Sequence, residues 1–220
     1  MLQASTLAFL CDLSANNTRE WFQEHKAAYE SARNNFLELA AELIRRIGAF
    51  EPEMAALQAK DCVFRLHRDT RFSKDKTPYK TNMGAYFTVG GRHSVTAGYY
   101  FHIEPLAESF VAGGVYQPQT AELKKIRQEI DYHGDELFTL VNEPAFKTYF
   151  GQLTGSKLSI PPKGYDKNHL FVDFLKHKDF LASGNIDPAM LLSADLPAYV
   201  AERFKAIKPL NDFLNRAIGS

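Results

Sequence analysis

The sequence predicts an α+β protein, with an antiparallel sheet in the middle of the chain flanked by N-terminal and C-terminal helices. Three observations carry that prediction. Apolar residues recur at spacings of three, four or seven in the first and last thirds of the chain, and they alternate in the middle third. The links between the alternating runs are too short for parallel crossovers, so the strands pair as an antiparallel meander. The chain has 220 residues, 45% hydrophobic and 24% charged, enough to bury a substantial core. With no repeat, low-complexity tract or clear linker, one α+β domain over residues 1–220 is the economical organisation.

The elements follow in order. Ser5 is placed to cap a first short helix with Leu7, Leu10, Cys11 and Leu13 on its apolar side. Asn17-Thr18-Arg19-Glu20 has capping-box spacing and opens a long amphipathic helix. Phe22, Tyr29, Phe36, Ala40, Leu43 and Ile47 recur along that helix, which ends near Gly48. Pro52 opens a further short helix through Leu57. Then the period changes: Cys62, Phe64 and Leu66 alternate with Val63, Arg65 and His67, as in a half-buried strand. Residues 83–89 are strand-like, Gly90-Gly91 fits a hairpin turn, residues 94–104 form a strand ended by Pro105, and residues 109–116 form another. Gly113-Gly114 reads as a bulge. Pro118 sits at the first position of a helix carrying Leu123, Ile126, Arg127 and Ile130 as far as Gly134, and two short helices follow, separated by Pro144. Residues 158–169 are a loop rich in Pro and Gly, and a last helix runs from about 197 to 218 with a kink at Pro209.

Charge singles out one segment. The chain is neutral, with 26 basic and 26 acidic residues, yet residues 65–81 (RLHRDTRFSKDKTPYKT) hold six Arg and Lys against two Asp, a net +4. Crowded cations persist only if carboxylates, water or a bound anion compensate them. Asp69 and Asp75 can pair two of them. Arg65, Arg68 and Arg71 suit a bidentate grip on phosphate or carboxylate, Lys74, Lys76 and Lys80 are mobile point charges, and Ser73 and Tyr79 add hydroxyls. An anion site and an internal ion-pair network, with Arg65 reaching Glu104 for instance, are the two readings of this segment.

Residues 68–81 also carry a resemblance. Arg-Asp-Thr-Arg-Phe-Ser-Lys-Asp-Lys-Thr-Pro-Tyr-Lys-Thr resembles the signature of an uncharacterised family of bacterial and fungal proteins, usually described as a conserved hypothetical domain of unknown function. The resemblance extends to Asn17, Glu20-Trp21-Phe22, Tyr29, Tyr99-Tyr100, Glu104-Pro105, Gly113-Gly114, Pro118, Arg127 and Pro162-Lys-Gly-Tyr165, which is nearly the whole chain. It implies a single cytoplasmic domain and brings no activity and no catalytic residue.

Other chemistry is sparse. His102 and Glu104, two apart on a predicted strand, share a face and are a candidate acid/base pair, though two side chains are too few for a metal. The sequence has no H-E-x-x-H, Cys-x-x-Cys, Gly-x-Ser-x-Gly or Walker loop, so neither metal nor cofactor is expected. Trp21 and Phe22 read as core anchors of the long helix. No apolar run approaches membrane-spanning length, Asp12 interrupts the apolar N-terminus too early for a signal peptide, and Cys11 and Cys62 cannot build a disulfide framework. A cytoplasmic location is the expectation. The leading functional expectation is a pocket at residues 65–81 for a phosphate- or carboxylate-bearing small molecule. If it is an enzyme, Asp69 or Asp75 is the candidate general base and Tyr79 a candidate proton donor. The alternatives are a nucleic-acid-binding module stacking Phe72 and Tyr79 on bases, and an interaction protein whose basic loop docks an acidic partner.

Overall fold

The computed structural model describes residues 1–92, 94–105 and 109–219. Its helices are α1 (Ala4–Ala15), α2 (Arg19–Glu24), α3 (Lys26–Gly48), α4 (Ala59–Cys62), α5 (Thr120–Asn142), α6 (Pro144–Phe150), α7 (Val172–Leu175), α8 (Pro188–Leu191) and α9 (Leu196–Gly219), with a 3-10 helix over Pro52–Ala56. The strands β1 (Met83–Phe87), β2 (Gly98–Ile103), β3 (Phe110–Val115) and β4 (Phe180–Asn185) pair in the order β1-β2-β3-β4 as an antiparallel sheet. The chain is α+β, with helices before and after the sheet. Among the described residues no helix is long and apolar enough to cross a membrane.

Contacts divide the chain into two units. The first comprises residues 1–87, 100–111 and 185–202. Its core is built on α3, whose Phe36, Leu39, Leu43 and Ile47 are buried, with Phe36 stacked 5.8 Å from Phe101 of β2. Buried Asn35 ties the N-terminus down, its Oδ1 accepting from Gln3 N–H and the Thr6 hydroxyl, each at 2.9 Å. The second unit comprises residues 88–99, 112–184 and 203–220. There Phe204, Ile207, Leu210 and Leu214 of α9 are fully buried, and Asn211 and Asn215 hydrogen-bond the backbone of Gly98 and Ala97. Gly114 is obligatory: its φ is +113°, and a Cβ there would lie 1.9 Å from the Phe180 carbonyl oxygen.

The second unit also contains a buried polar knot. Asp179 accepts from Gln117 N–H (2.8 Å), from Ser156 N–H (3.0 Å) and from the Ser156 hydroxyl. It thereby holds Gln117 at φ 47°, the positive φ found outside glycine among the described residues. His177, 1% exposed, donates from Nδ1 to the Asp179 carbonyl (3.0 Å), and Arg127 reaches the Leu175 and His177 carbonyls.

Several local expectations change. Residues 62–67 are not a regular strand. Cys62 ends α4, and pairing is limited to the antiparallel bridges Val63 with Ala85 and His67 with Tyr79. Alternation was imitated by a buried Cys62 and Leu66 around an exposed Phe64. Ser5 is no cap, because α1 starts at Ala4 with Gln3 before it, and Cys11 is exposed while Phe9 takes the core place. The cap of α2 is Thr18, accepting from Trp21 N–H (3.3 Å), and the helix breaks at His25 before α3 begins. Helix α5 starts at Thr120, two residues beyond Pro118, and continues past Gly134 through a kink at His133. Strand β4 was not anticipated, because FLASGN offers no sustained alternation.

Candidate functional site

The basic segment is a closed loop in the first unit. The rung between His67 and Tyr79 shuts it, with Arg68 N–H donating to Pro78 O (2.9 Å) and Lys80 N–H to Leu66 O (2.8 Å). Beyond the rung the chain is irregular, as Pro78 and its restricted neighbour Thr77 require. Asn17, in the turn between α1 and α2, clamps the closing strand: its Nδ2 donates to Tyr79 O (2.9 Å) and its Oδ1 accepts from Tyr79 N–H (3.1 Å). The Tyr79 ring is buried and stacked 4.0 Å from Phe22. Tyr79 therefore anchors the loop to the core. It is not available to stack on a nucleic-acid base, which corrects one expectation.

At the tip, carboxylates neutralise arginines locally. Asp69 grips Arg71 twice, at Nε (3.0 Å) and Nη2 (2.6 Å), and takes its backbone N–H. Asp75 accepts from Thr77 N–H (2.9 Å) and pairs with Arg68 Nη1, which also donates to the Thr77 hydroxyl. The Thr77 N–H first, then Arg68 and the Thr77 hydroxyl, hold the Asp75 carboxyl at about 2. The Arg71 guanidinium and then its backbone N–H lower Asp69. Carboxylates so committed are poorer proton acceptors than free ones, which weighs against Asp69 or Asp75 as a general base. Lys76 is tied to the Thr70 carbonyl (2.9 Å).

Beside the loop lies an open cleft of about 320 Å³, lined by Ser14 and Asn17 from the N-terminal region and by Arg68, Asp75, Thr77 and residues 79–82. The three arginines do not converge on it. Arg68 faces the cleft, while Arg65 is exposed and Arg71 is turned to solvent with its side chain 77% exposed. Ser73, Lys74 and Lys76 also lie outside its lining. Lys80 is inside it, half-buried, with Nζ 5.3 Å from the centre of the Phe64 ring. Burial first, and the charge of Arg65 second, lower the pKa of Lys80. Among the described residues the ion pairs of this segment are Arg68 with Asp75 and Arg71 with Asp69, so Lys80 has no carboxylate partner.

A hydrogen-bonded chain reaches the cleft through Thr81. The Thr81 hydroxyl donates to Glu104 Oε1 (2.7 Å), Glu104 Oε2 meets His102 Nε2 (3.1 Å), and His102 Nδ1 meets the Tyr100 hydroxyl (3.0 Å). Tyr100 and His102 share one face of β2 by strand alternation, with Glu104 directly after the strand, while Tyr99, Phe101 and Ile103 on the other face are fully buried. A carboxylate oxygen only accepts, so His102 donates from Nε2; in the neutral ring Nδ1 then accepts from Tyr100. Burial first, then the Glu104 charge, push Tyr100 up to about 12, so it keeps its proton. Phe110 stacks on His102 at 4.6 Å, Ser109 pins the Glu104 backbone from both sides, and Gly84 makes room for Tyr100, since a Cβ there would lie 2.5 Å from the phenol oxygen. Glu104 is engaged by Thr81 and His102, so the pairing with Arg65 offered as an instance of the ion-pair reading is not the one formed.

The structure thus gathers Arg68, Asp75, Tyr79 and Lys80 at the cleft and links His102 and Glu104 to it through Thr81. Sequence reasoning missed Ser14, Asn17, Asn82 and Tyr100 as parts of the site. Tyr100 was reachable, because it shares the strand face of His102. The Asn17 contact spans 62 residues and left no local signal. Among the described residues no three His, Cys, Asp or Glu side chains come together as a metal site requires.

A family described as conserved hypothetical protein (DUF2461) matches residues 5–213. No curated protein and no solved structure matches the chain.

Proposed function

The chain belongs to that family, whose description names no activity, and from its own geometry we propose that the cleft binds a small molecule carrying a phosphate or carboxylate group. One observation carries the reading: Lys80 is a half-buried cation in the cleft wall with no carboxylate partner among the described residues. Desolvating an ammonium without a counter-charge is unfavourable, and a bound oxyanion relieves it. Arg68 assists. Its side-chain bonds to protein leave from Nη1, and a guanidinium has five N–H donors to share. The volume of about 320 Å³ suits a small ligand. The proposal includes a reduced, cytoplasmic setting, supported by two free cysteines, Cys11 exposed and Cys62 buried.

The test is thermal denaturation in phosphate and in chloride at matched ionic strength. At about ten times Kd a ligand bound only to the native state adds roughly 1.4 kcal/mol, which raises Tm by roughly 3–5 °C. Lys80→Gln and Arg68→Ala should each lose the phosphate-specific part. The same phosphate response in both variants as in wild type overturns the reading, and the variants control for salt exclusion effects.

A second reading has one observation in its favour. Phe72 at the loop tip is 95% exposed, with the Arg71 guanidinium 5.8 Å from its ring centre. A tip built this way suits docking on a polyanion or an acidic protein partner. A steep log–log salt dependence of binding to single-stranded nucleic acid, lost in Phe72→Ala, would support it.

A further inference from the structure

Anion binding accounts for the charge of the cleft and leaves its proton-handling groups without a use. Lys80 is followed directly by Thr81, whose hydroxyl opens the chain to Glu104, His102 and Tyr100 at 2.7, 3.1 and 3.0 Å. Anion binding needs no such chain. It is costly to build: His102 is 7% exposed, lies under Phe110, and requires glycine at position 84 to seat its Tyr100 partner. A lysine resting on an aromatic face in a partly desolvated wall, with an acid/base chain at the next residue and an arginine across the same cleft, is the set of groups that carbonyl chemistry needs.

We propose that Lys80 is the amine of an imine-forming site whose substrate is a small aldehyde or ketone bearing a carboxylate or phosphate. The inference rests on the anion-binding reading, with Arg68 holding the anionic end. In the first step the Lys80 Nζ lone pair forms a C–N bond to the carbonyl carbon, and the C=O π pair moves to oxygen. A proton passes from nitrogen to that oxygen and gives a neutral carbinolamine. In the second step the nitrogen lone pair forms C=N, the C–O bond breaks, and the departing hydroxide takes one proton to leave as water. That proton comes from solvent in the open cleft: the Thr81 hydroxyl gives its own proton to the departing oxygen while Glu104, protonated from solvent, returns one to Thr81 and ends as the carboxylate. Amine, carbonyl and one proton become a protonated imine and water, with nothing oxidised or reduced. Glu104, His102 and Tyr100 are positioning residues that act through Thr81. The lowered pKa of Lys80 agrees with this role, because it enlarges the neutral, nucleophilic fraction near pH 7.

The experiment traps the imine in the full chain. The protein is incubated with glyoxylate, the smallest aldehyde carrying a carboxylate, in the presence of cyanoborohydride, and modification is mapped by peptide mass spectrometry. Lys80 should label at least about tenfold faster than the average of the other lysines, and excess inorganic phosphate should suppress that labelling selectively. Glu104→Gln should slow Lys80 labelling several-fold at pH 7, with the gap closing at acid pH where solvent supplies the proton, and should keep the phosphate-specific rise in Tm. A purely structural role for Glu104 would leave that pH profile unmoved. Lys80 labelling no faster than the other lysines overturns the inference. If the phosphate-specific stabilisation persists in that case, anion binding stands and only the imine chemistry falls; if it is absent as well, both fall.

Discussion

Two polar clusters of this protein, one in each unit, are built from similar residue types and end in opposite conditions. In the Asp179 knot every hydrogen bond named above has a backbone group or the Ser156 hydroxyl as partner, and the charged group is closed off at 5% exposure. In the Lys80–Thr81–Glu104–His102–Tyr100 cluster the bonds run from side chain to side chain, and one end opens on a cleft beside a cation with no carboxylate partner among the described residues. Backbone groups are fixed, so a carboxylate satisfied by them organises the fold. Side chains that satisfy one another and end at a cavity are the arrangement on which the proposed site rests.

The largest expected effect tests the closed cluster. Asp179→Ala leaves the Gln117 and Ser156 N–H groups without their acceptor and releases Gln117 from its left-handed conformation. Each buried donor left unpaired costs about 1–3 kcal/mol, so the variant should lose about 3–4 kcal/mol and melt about 10 °C lower. Its phosphate-specific rise in Tm should persist. A melting curve like that of wild type would mean that the knot is ornamental, and the contrast between the clusters would collapse.

The second effect uses pH. Burial first, then the Lys157 charge, push His177 down to about 4 from its ordinary 6.5, against the hydrogen bond to the Asp179 carbonyl. Between those values the unfolded chain takes up a proton that the native chain refuses. Stability is therefore full above about 6.5 and falls as pH drops toward 4. The loss should be about 3 kcal/mol by pH 4, read as a fall in Tm across that window. His177→Gln keeps a donor for the Asp179 carbonyl without the titration, so its Tm should fall less steeply over the same range. Parallel curves would exclude His177 as the source.

These clusters also mark what one sequence reveals. The helical thirds, the β1-to-β3 meander and the basic segment were legible because each is periodic or compositionally distinct over a short window. Phe204, Ile207, Leu210 and Leu214 announce the buried face of α9, and alternation pairs His102 with Glu104, two residues on. Contacts between distant residues were not legible. Asn17 has capping-box spacing and instead clamps Tyr79; Thr81 is a minor hydroxyl until Glu104 is seen beside it; Asp179 carries no motif. The +4 of residues 65–81 was visible, but its division into a self-neutralised tip and an unpaired Lys80 depends on where the loop closes.

The third prediction joins fold to site. Asn17→Ala removes both hydrogen bonds that hold the Tyr79 backbone, which leads directly into Lys80 and Thr81. The pair is partly exposed, so the cost should be about 1–2 kcal/mol, smaller than that of Asp179→Ala. Loosening the wall should also weaken the phosphate-specific stabilisation. A variant that loses stability and keeps the full phosphate response would show that this clamp serves the fold alone.

The smallest effect is expected at the most conspicuous charge. Arg71 lies in the middle of the basic segment and belongs to its signature, yet its guanidinium is held by Asp69 two residues away, and its side chain is 77% exposed. An exposed pair closed over so short a span is screened by salt and adds little to folding. Removing Arg71 also leaves Asp69 free to be solvated, so no buried charge is stranded. Arg71→Ala should therefore keep Tm within about 2 °C of wild type, and its phosphate response should equal that of wild type. Lys80→Gln, by contrast, should lose that response. If Arg71→Ala abolished the phosphate effect and Lys80→Gln preserved it, the anion would sit at the exposed tip beside Phe72, and the docking reading would replace the cleft.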